Sequence, residues 1–144
     1  MKSKKVNLYS KFLGFLIKKG NKVVAKQILN SAFLIASKNT QLSLQLLLLK
    51  LFLKLNSFVE VKRVRIRRSS HVVPFAISFK RRLYLIIKWI MQAVHEDKRQ
   101  ISMEHKLAFE ITNIIKNLPS KSLKIKEANI LQALSNRSNA HFRW

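Results

Sequence analysis

Five of the seven residues from Lys62 to Arg68 are cations: Lys62, Arg63, Arg65, Arg67 and Arg68. Three more, Lys80, Arg81 and Arg82, stand side by side a short way on. Guanidinium groups fork onto pairs of phosphate oxygens and ammonium groups act as compact point charges, so the chemistry on offer is recognition of a polyanion. Covalent chemistry is poorly supplied. His71, His95, His105 and His141 fall on different segments, without the i, i+4 spacing of a metal-binding pair. The carboxylates Glu60, Glu96, Asp97, Glu104, Glu110 and Glu127 contain one adjacent pair, Glu96-Asp97, which runs into Lys98-Arg99 and reads as a solvated helix end. Cysteine is absent, which removes disulfides, thiolate ligands and thiol nucleophiles together. There is no glycine-rich phosphate loop and no nucleophile elbow. No catalytic residue, metal, cofactor or small-molecule substrate is expected.

The whole chain repeats this imbalance. Lys and Arg number 29 against 6 Asp and Glu in 144 residues, a formal charge of +23. Such a field repels itself in a compact state unless a polyanion neutralises it. Nucleic acid is the first candidate, an anionic membrane surface the second and an acidic protein the third. At 48% hydrophobic residues the chain is too apolar for a disordered basic tail. Its length suits one domain, spanning residues 1–144. With two Gly and two Pro there is little punctuation, so long helices are expected to dominate.

The elements that must carry the cations follow from periodicity. Helices are expected over Ser10 to Lys19, burying Phe12, Phe15 and Leu16, and over Lys22 to Lys38, burying Val24, Ile28, Ala32 and Ile35. Gly20-Asn21 separates the two. A leucine-dense third helix reaches Leu55. Lys50 and Lys54 interrupt it and it is shorter than the roughly 18–20 apolar residues of a membrane span, so it reads as a core helix, with no membrane insertion. From Val59 to Arg67 and again from His71 to Phe79 the alternation is that of strands. Pro74 cannot donate to a ladder, which suits an open-edged two-stranded ribbon over residues 58–79. Val59 and Val61 share one face and Val64 and Ile66 the other, so a bulge is expected at Lys62-Arg63, beyond which inner and outer faces exchange. Arg67-Arg68-Ser69-Ser70 is expected to form a longer, mobile loop, because Arg reaches positive φ poorly.

Helical spacing returns at Lys80, with Leu83, Ile87, Ile90 and Val94 on the buried stripe and Arg81, Lys88 and His95 opposite. A fifth helix is expected over Ser102 to Asn117, capped by Ser102, and a sixth over Ser122 to Arg137, burying Ile130 and Leu134. The fold class is thus mainly α, about six helices with a β-ribbon protruding between the third and fourth. A basic tail, residues 1–9, precedes them and a short tail, residues 138–144, follows. Three adjacent cations at the start of the fourth helix oppose its dipole, so a phosphate is expected beside Lys80, Arg81 and Arg82. Phe33, Phe52, Phe75, Phe79 and Trp89 sit at core spacing. Phe142 and Trp144, flanking Arg143, either stack against RNA or dock back on the protein.

Several segments, in order, resemble one family. They are Gly20-Asn21-Lys22 with Ala25 and Ile28, then Glu60-Val61-Lys62 through Val73-Pro74, and Arg81-Arg82-Leu83 with Lys88-Trp89. Asn136-Arg137 and His141-Phe142-Arg143-Trp144 complete the set. From about Phe12 onward the chain resembles the seventh small-subunit ribosomal protein. The resemblance implies a helical protein with a protruding ribbon, bound to the 3′ major domain of small-subunit rRNA. It implies assembly of the subunit head beside neighbouring ribosomal proteins, with the ribbon near exit-site tRNA and the mRNA path. By position, rRNA contacts would come from Lys62, Arg63, Arg65, Arg81, Arg82, Lys88, Arg137, His141 and Arg143. Lys4, Lys5, Lys22, Arg67, Arg68, His71, Lys80 and Trp144 complete the candidate set.

The chain departs from the family in a short N-terminal extension and at three places further on. Arg67-Arg68 stands where a Gly pair is usual, His71-Val72 replaces Tyr-Gln, and Asn117-Leu118-Pro119-Ser120 replaces a Gly-rich connection. These departures and the bias toward Lys, Leu, Ile and Asn resemble a mitochondrial member from an AT-rich genome, ahead of a plastid or bacterial one. The likeness begins near Met1, so no cleaved presequence is expected and the gene is expected to be read inside the organelle. Two other classes remain: a DNA-binding architectural protein, since ribbons also read DNA, and a basic peripheral membrane protein.

Overall fold

The computed structural model describes residues 8–143. The chain runs through α1 (Leu8–Leu16), α2 (Lys22–Thr40), α3 (Leu44–Leu55), β1 (Val59–Ile66), β2 (Ser69–Ala76), α4 (Phe79–His95), α5 (Met103–Lys116) and α6 (Lys121–Ser135). It closes with a 3-10 segment, Arg137–Phe142, where an irregular tail was expected. The mainly helical class and the ribbon between the third and fourth helices are as the sequence implies. Among the described residues no helix is long and apolar enough to cross a membrane.

Backbone chemistry explains the breaks between helices. Lys19 and Gly20 adopt φ of 52° and 78°, reversing the chain after α1. Gln41 ends α2 at φ 55°, and Asn117 ends α5 at φ 57° while Leu118 N–H reaches back 2.9 Å to Asn113 O. Ser120 caps α6 by accepting from Leu123 N–H at 3.2 Å. Ser102 does not cap α5. Its hydroxyl instead meets His105 Nδ1 at 2.7 Å, so the expected cap is spent within the first turn.

One core cluster joins α1 to α5, with Phe12, Leu29, Leu47, Leu51, Ile86, Ile90 and Ile111 fully buried. Phe12 meets Phe33 edge-on at 5.7 Å. A second cluster, Ile77, Leu85 and Trp89, lies on another side of α4 and takes in Ile125 of α6.

Several packing expectations are corrected. The buried stripe of α2 is Ala25, Leu29, Ala32, Phe33 and Ala36, while Val24 is exposed. Three alanines let α5 approach α2 closely, and this outweighs the larger side chains of Val24 and Ile28. In α6 the side chains of Ile130 and Leu134 are exposed; the helix buries Ser122 and Ala133 instead and meets the ribbon through Asn129, whose amide donates to Val59 O at 3.0 Å. Phe79 is also exposed, because β2 ends at Ala76 and Phe79 opens α4, its ring 5.6 Å from that of Phe52.

Candidate nucleic-acid interface

The two strands pair antiparallel without interruption, from Val59 opposite Ala76 to Ile66 opposite Ser69. The bulge expected at Lys62-Arg63 is therefore absent. The faces still change character along the ribbon. On one face Val59 and Val61, with Pro74 and Ala76, give way to Arg63 and Arg65. On the other, Glu60 and Lys62 give way to half-buried Val64 and Ile66. No bulge is needed because a second cover is present at the outer end: Phe142 stacks on His71, the cross-strand partner of Val64, at 4.6 Å. Asn139 donates to Val72 O at 3.1 Å, and Arg143 Nε donates to Pro74 O. Phe142 thus docks on the protein. The ribbon is rooted on α4 and α6 and flanked outward by the 3-10 segment, which leaves Arg63 and Arg65 exposed.

The tip is tighter than the sequence suggested. Ile66 and Ser69 still pair, so Arg67 and Arg68 alone make the turn. Arg67 takes φ 52°, the strained left-handed region, and Ser69 Oγ donates to Ile66 O at 3.2 Å. Ser69 and Ser70 belong to β2. Both arginines of the turn are exposed.

At the base the structure sorts cations that the sequence treats alike. Arg81 grips Glu60 with Nε 2.9 Å from Oε2 and NH2 2.6 Å from Oε1, and its guanidinium lies 4.6 Å from the Tyr84 ring centre. The bond to Arg81 holds the Glu60 carboxyl below its ordinary value and raises Arg81 above its own. Arg82 sits 4.3 Å over the Phe58 ring and donates to Ile77 O at 3.3 Å. Glu60 and Phe58 thus partner two of the three cations in the first turn of α4 from within the protein. Lys80 and Lys88 are exposed.

Two further lysines serve the fold. Lys54 Nζ donates to Ile114 O, Ile115 O and Asn117 Oδ1, capping the C-terminus of α5. Burial, then the nearby charge of Lys50, lowers its pKa. Lys126 Nζ donates to Lys54 O at the end of α3, and burial lowers its pKa too.

Of the remaining candidates, Lys22 is exposed at the start of α2, far along the chain from the ribbon. Exposed Arg137 opens the 3-10 segment, and His141 lies exposed with Nδ1 2.7 Å from Ser138 O. Arg137, Arg143 and Lys126 edge a groove of about 410 Å³ whose walls include Phe58, Val59, Pro74, Ile130 and Leu134. Lys4, Lys5 and Trp144 lie outside the described residues. Glu60 and Phe58 organise the base, a role that neither composition nor periodicity assigns them. Glu60 is the first acid in the chain and precedes a run of cations, which is the signal that could have marked it.

Among the described residues no group of His, Asp and Glu could hold a metal ion. The arrangement defines a class: a helical scaffold presenting a cationic two-stranded ribbon, built for charge recognition and not for bond-making. A family model described as "Ribosomal protein S7p/S5e" matches residues 1–137. Similar proteins include the small ribosomal subunit protein uS7 of Desulfatibacillum aliphaticivorans, 31% identical over 95% of this chain and 86% of that protein. Another is uS7m of Reclinomonas americana, 30% identical over 96% of this chain and 86% of the relative. A third is uS7A of Aquifex aeolicus, 31% identical over 95% and 87%. The chain belongs to the ribosomal protein S7p/S5e family, a structural component of the ribosome and not an enzyme.

Proposed function

We propose that this small-subunit ribosomal protein acts as a single domain that binds the 3′ major domain of small-subunit rRNA through the outer half of its ribbon. The observation that carries this is the contrast along β1. Its only acid, Glu60, is consumed by Arg81 at the base, whereas Arg63, Arg65, Arg67 and Arg68 are exposed at the outer end. Two ion pairs occur among the described residues, Arg81–Glu60 and Arg99–Asp97, and neither draws on those four arginines. Lys62, which lies 5.6 Å over the Phe75 ring, extends the same field together with Lys80 and Lys88, and His71 is a further contact candidate. Arg137 and Arg143 carry it along the 3-10 segment beside the His141 ring, and Arg81 and Arg82 tie the base of the ribbon to α4. Lys4, Lys5, Lys22 and Trp144 are further contacts in this reading.

Family membership supports a role in organising the subunit head, with the tip near exit-site tRNA and the mRNA path. The Lys, Leu, Ile and Asn bias, together with the likeness to uS7m, supports a mitochondrial ribosome. Chemical probing of small-subunit rRNA with and without the protein tests this reading. Protection confined to the 3′ major domain is the expected result. Protection spread evenly over the rRNA, or lost to an equal mass of duplex DNA, overturns it.

A further inference from the structure

Helix α3 is apolar on two opposite sides. Leu47, Leu51 and Leu55 are fully buried in the core. At 100° per residue the direction opposite to them is occupied by Leu46, Leu49 and Leu53, which are 48%, 53% and 64% exposed. A helix apolar all round is ordinarily covered on all sides. Gln45 and Lys50, both exposed, border the three leucines. The spacing i, i+3, i+7 makes a narrow seam of the coiled-coil kind, not the broad apolar half of a helix that lies in a lipid surface.

We infer that the outer face of α3 is a docking seam for one amphipathic, acid-flanked helix of a neighbouring small-subunit protein; this rests on the ribosomal reading above. Charge selects that occupant. No acid occurs before Glu60, so α1, α2 and α3 offer cations alone, with exposed Lys50 beside the seam. A second copy of this chain would set Lys50 against Lys50 with no acid on either helix, which is the arrangement that flanking charges in helix pairs avoid. An rRNA backbone would gain from Lys50 but would bury three leucines against phosphate. An apolar stripe flanked by Glu or Asp satisfies both the leucines and Lys50.

Hydroxyl-radical oxidation, read residue by residue by mass spectrometry, tests the seam in purified small subunits against the free protein. Leu46, Leu49 and Leu53 are expected to oxidise readily in the free protein and to be protected in the subunit. Equal oxidation in both states overturns the inference. A photo-crosslinking residue in place of Leu49 identifies the cover. A crosslink to an acid-flanked helix of a stoichiometric small-subunit protein, weakened by Lys50→Glu, supports the inference. A crosslink to rRNA, lipid or a second copy overturns it.

The triple variant Leu46→Gln, Leu49→Gln, Leu53→Gln changes exposed positions and is expected to bind rRNA as the native protein does while losing the crosslinked neighbour from subunits. Native rRNA binding with every neighbour retained defeats the seam alone. Failure of the native protein to bind rRNA defeats the ribosomal reading instead.

Discussion

Arg81 and Glu60 close the base of the ribbon as a fork on a carboxylate, with contacts of 2.9 and 2.6 Å between the first turn of α4 and the second residue of β1. The pair fixes the angle at which the ribbon leaves the helices and removes the one negative charge from a cationic strand.

Arg81→Met should lower stability by about 1 kcal/mol, the scale of a partly exposed bidentate pair after screening. The pair also sets a pH dependence. Arg81 keeps the folded Glu60 carboxyl below its ordinary value of 4.5, so its contribution is fully present above that pH. The contribution is lost as pH falls through the lowered folded value. Urea titrations below pH 4.5 should therefore show an acid-dependent loss in the native protein that is reduced in Arg81→Met. Equal loss in both would mean that the fork does not bear on stability.

Glu110 and Ser122 form a second junction, between α5 and α6. The carboxylate accepts from Ser122 N–H at 2.9 Å and from the Ser122 hydroxyl, and Ser122 is fully buried. Glu110→Ala should cost about 2–3 kcal/mol, because it strands two buried donors. Glu127→Ala, on the exposed side of α6, should stay within about 0.5 kcal/mol. Comparable losses in urea denaturation would contradict this assignment.

The element order was legible because helical and strand periods differ sharply, and Gly20 and Pro119 punctuate them. The paired strands and their cations were legible for the same reason. Three features were not, each because a distant segment decides it. The ribbon changes faces without a bulge because Phe142, far along the chain, covers His71. Arg81 and Arg82 look like free cations until Glu60 and Phe58 are brought against them. Ile130 and Leu134 fit a buried helical stripe, yet α6 meets the body through Ala133, Ser122 and Asn129. Periodicity reports which residues share a face, and only the partner decides which face is covered.

Arg67→Gly separates the fold of the tip from its charge. Arg67 holds φ 52°, where a side chain costs about 1–2 kcal/mol and glycine almost nothing. Part of that gain is offset by glycine's larger unfolded-state freedom. The variant should be as stable as the native protein or up to about 1 kcal/mol more stable, while its rRNA affinity falls. A destabilised ribbon, or unchanged affinity, would contradict the placement of Arg67 as a strained residue retained for its charge.

The salt dependence of binding measures most directly whether cations on the outer ribbon neutralise rRNA phosphates. Affinity for the 3′ major domain of small-subunit rRNA should fall steeply between about 50 and 200 mM salt, since each phosphate contact releases counterions. Arg63→Gln with Arg65→Gln should reduce the slope of log affinity against log salt by about two, one per lost contact, with helix content unchanged by circular dichroism. A native slope near zero, or a slope that the double variant leaves untouched, would contradict the claim.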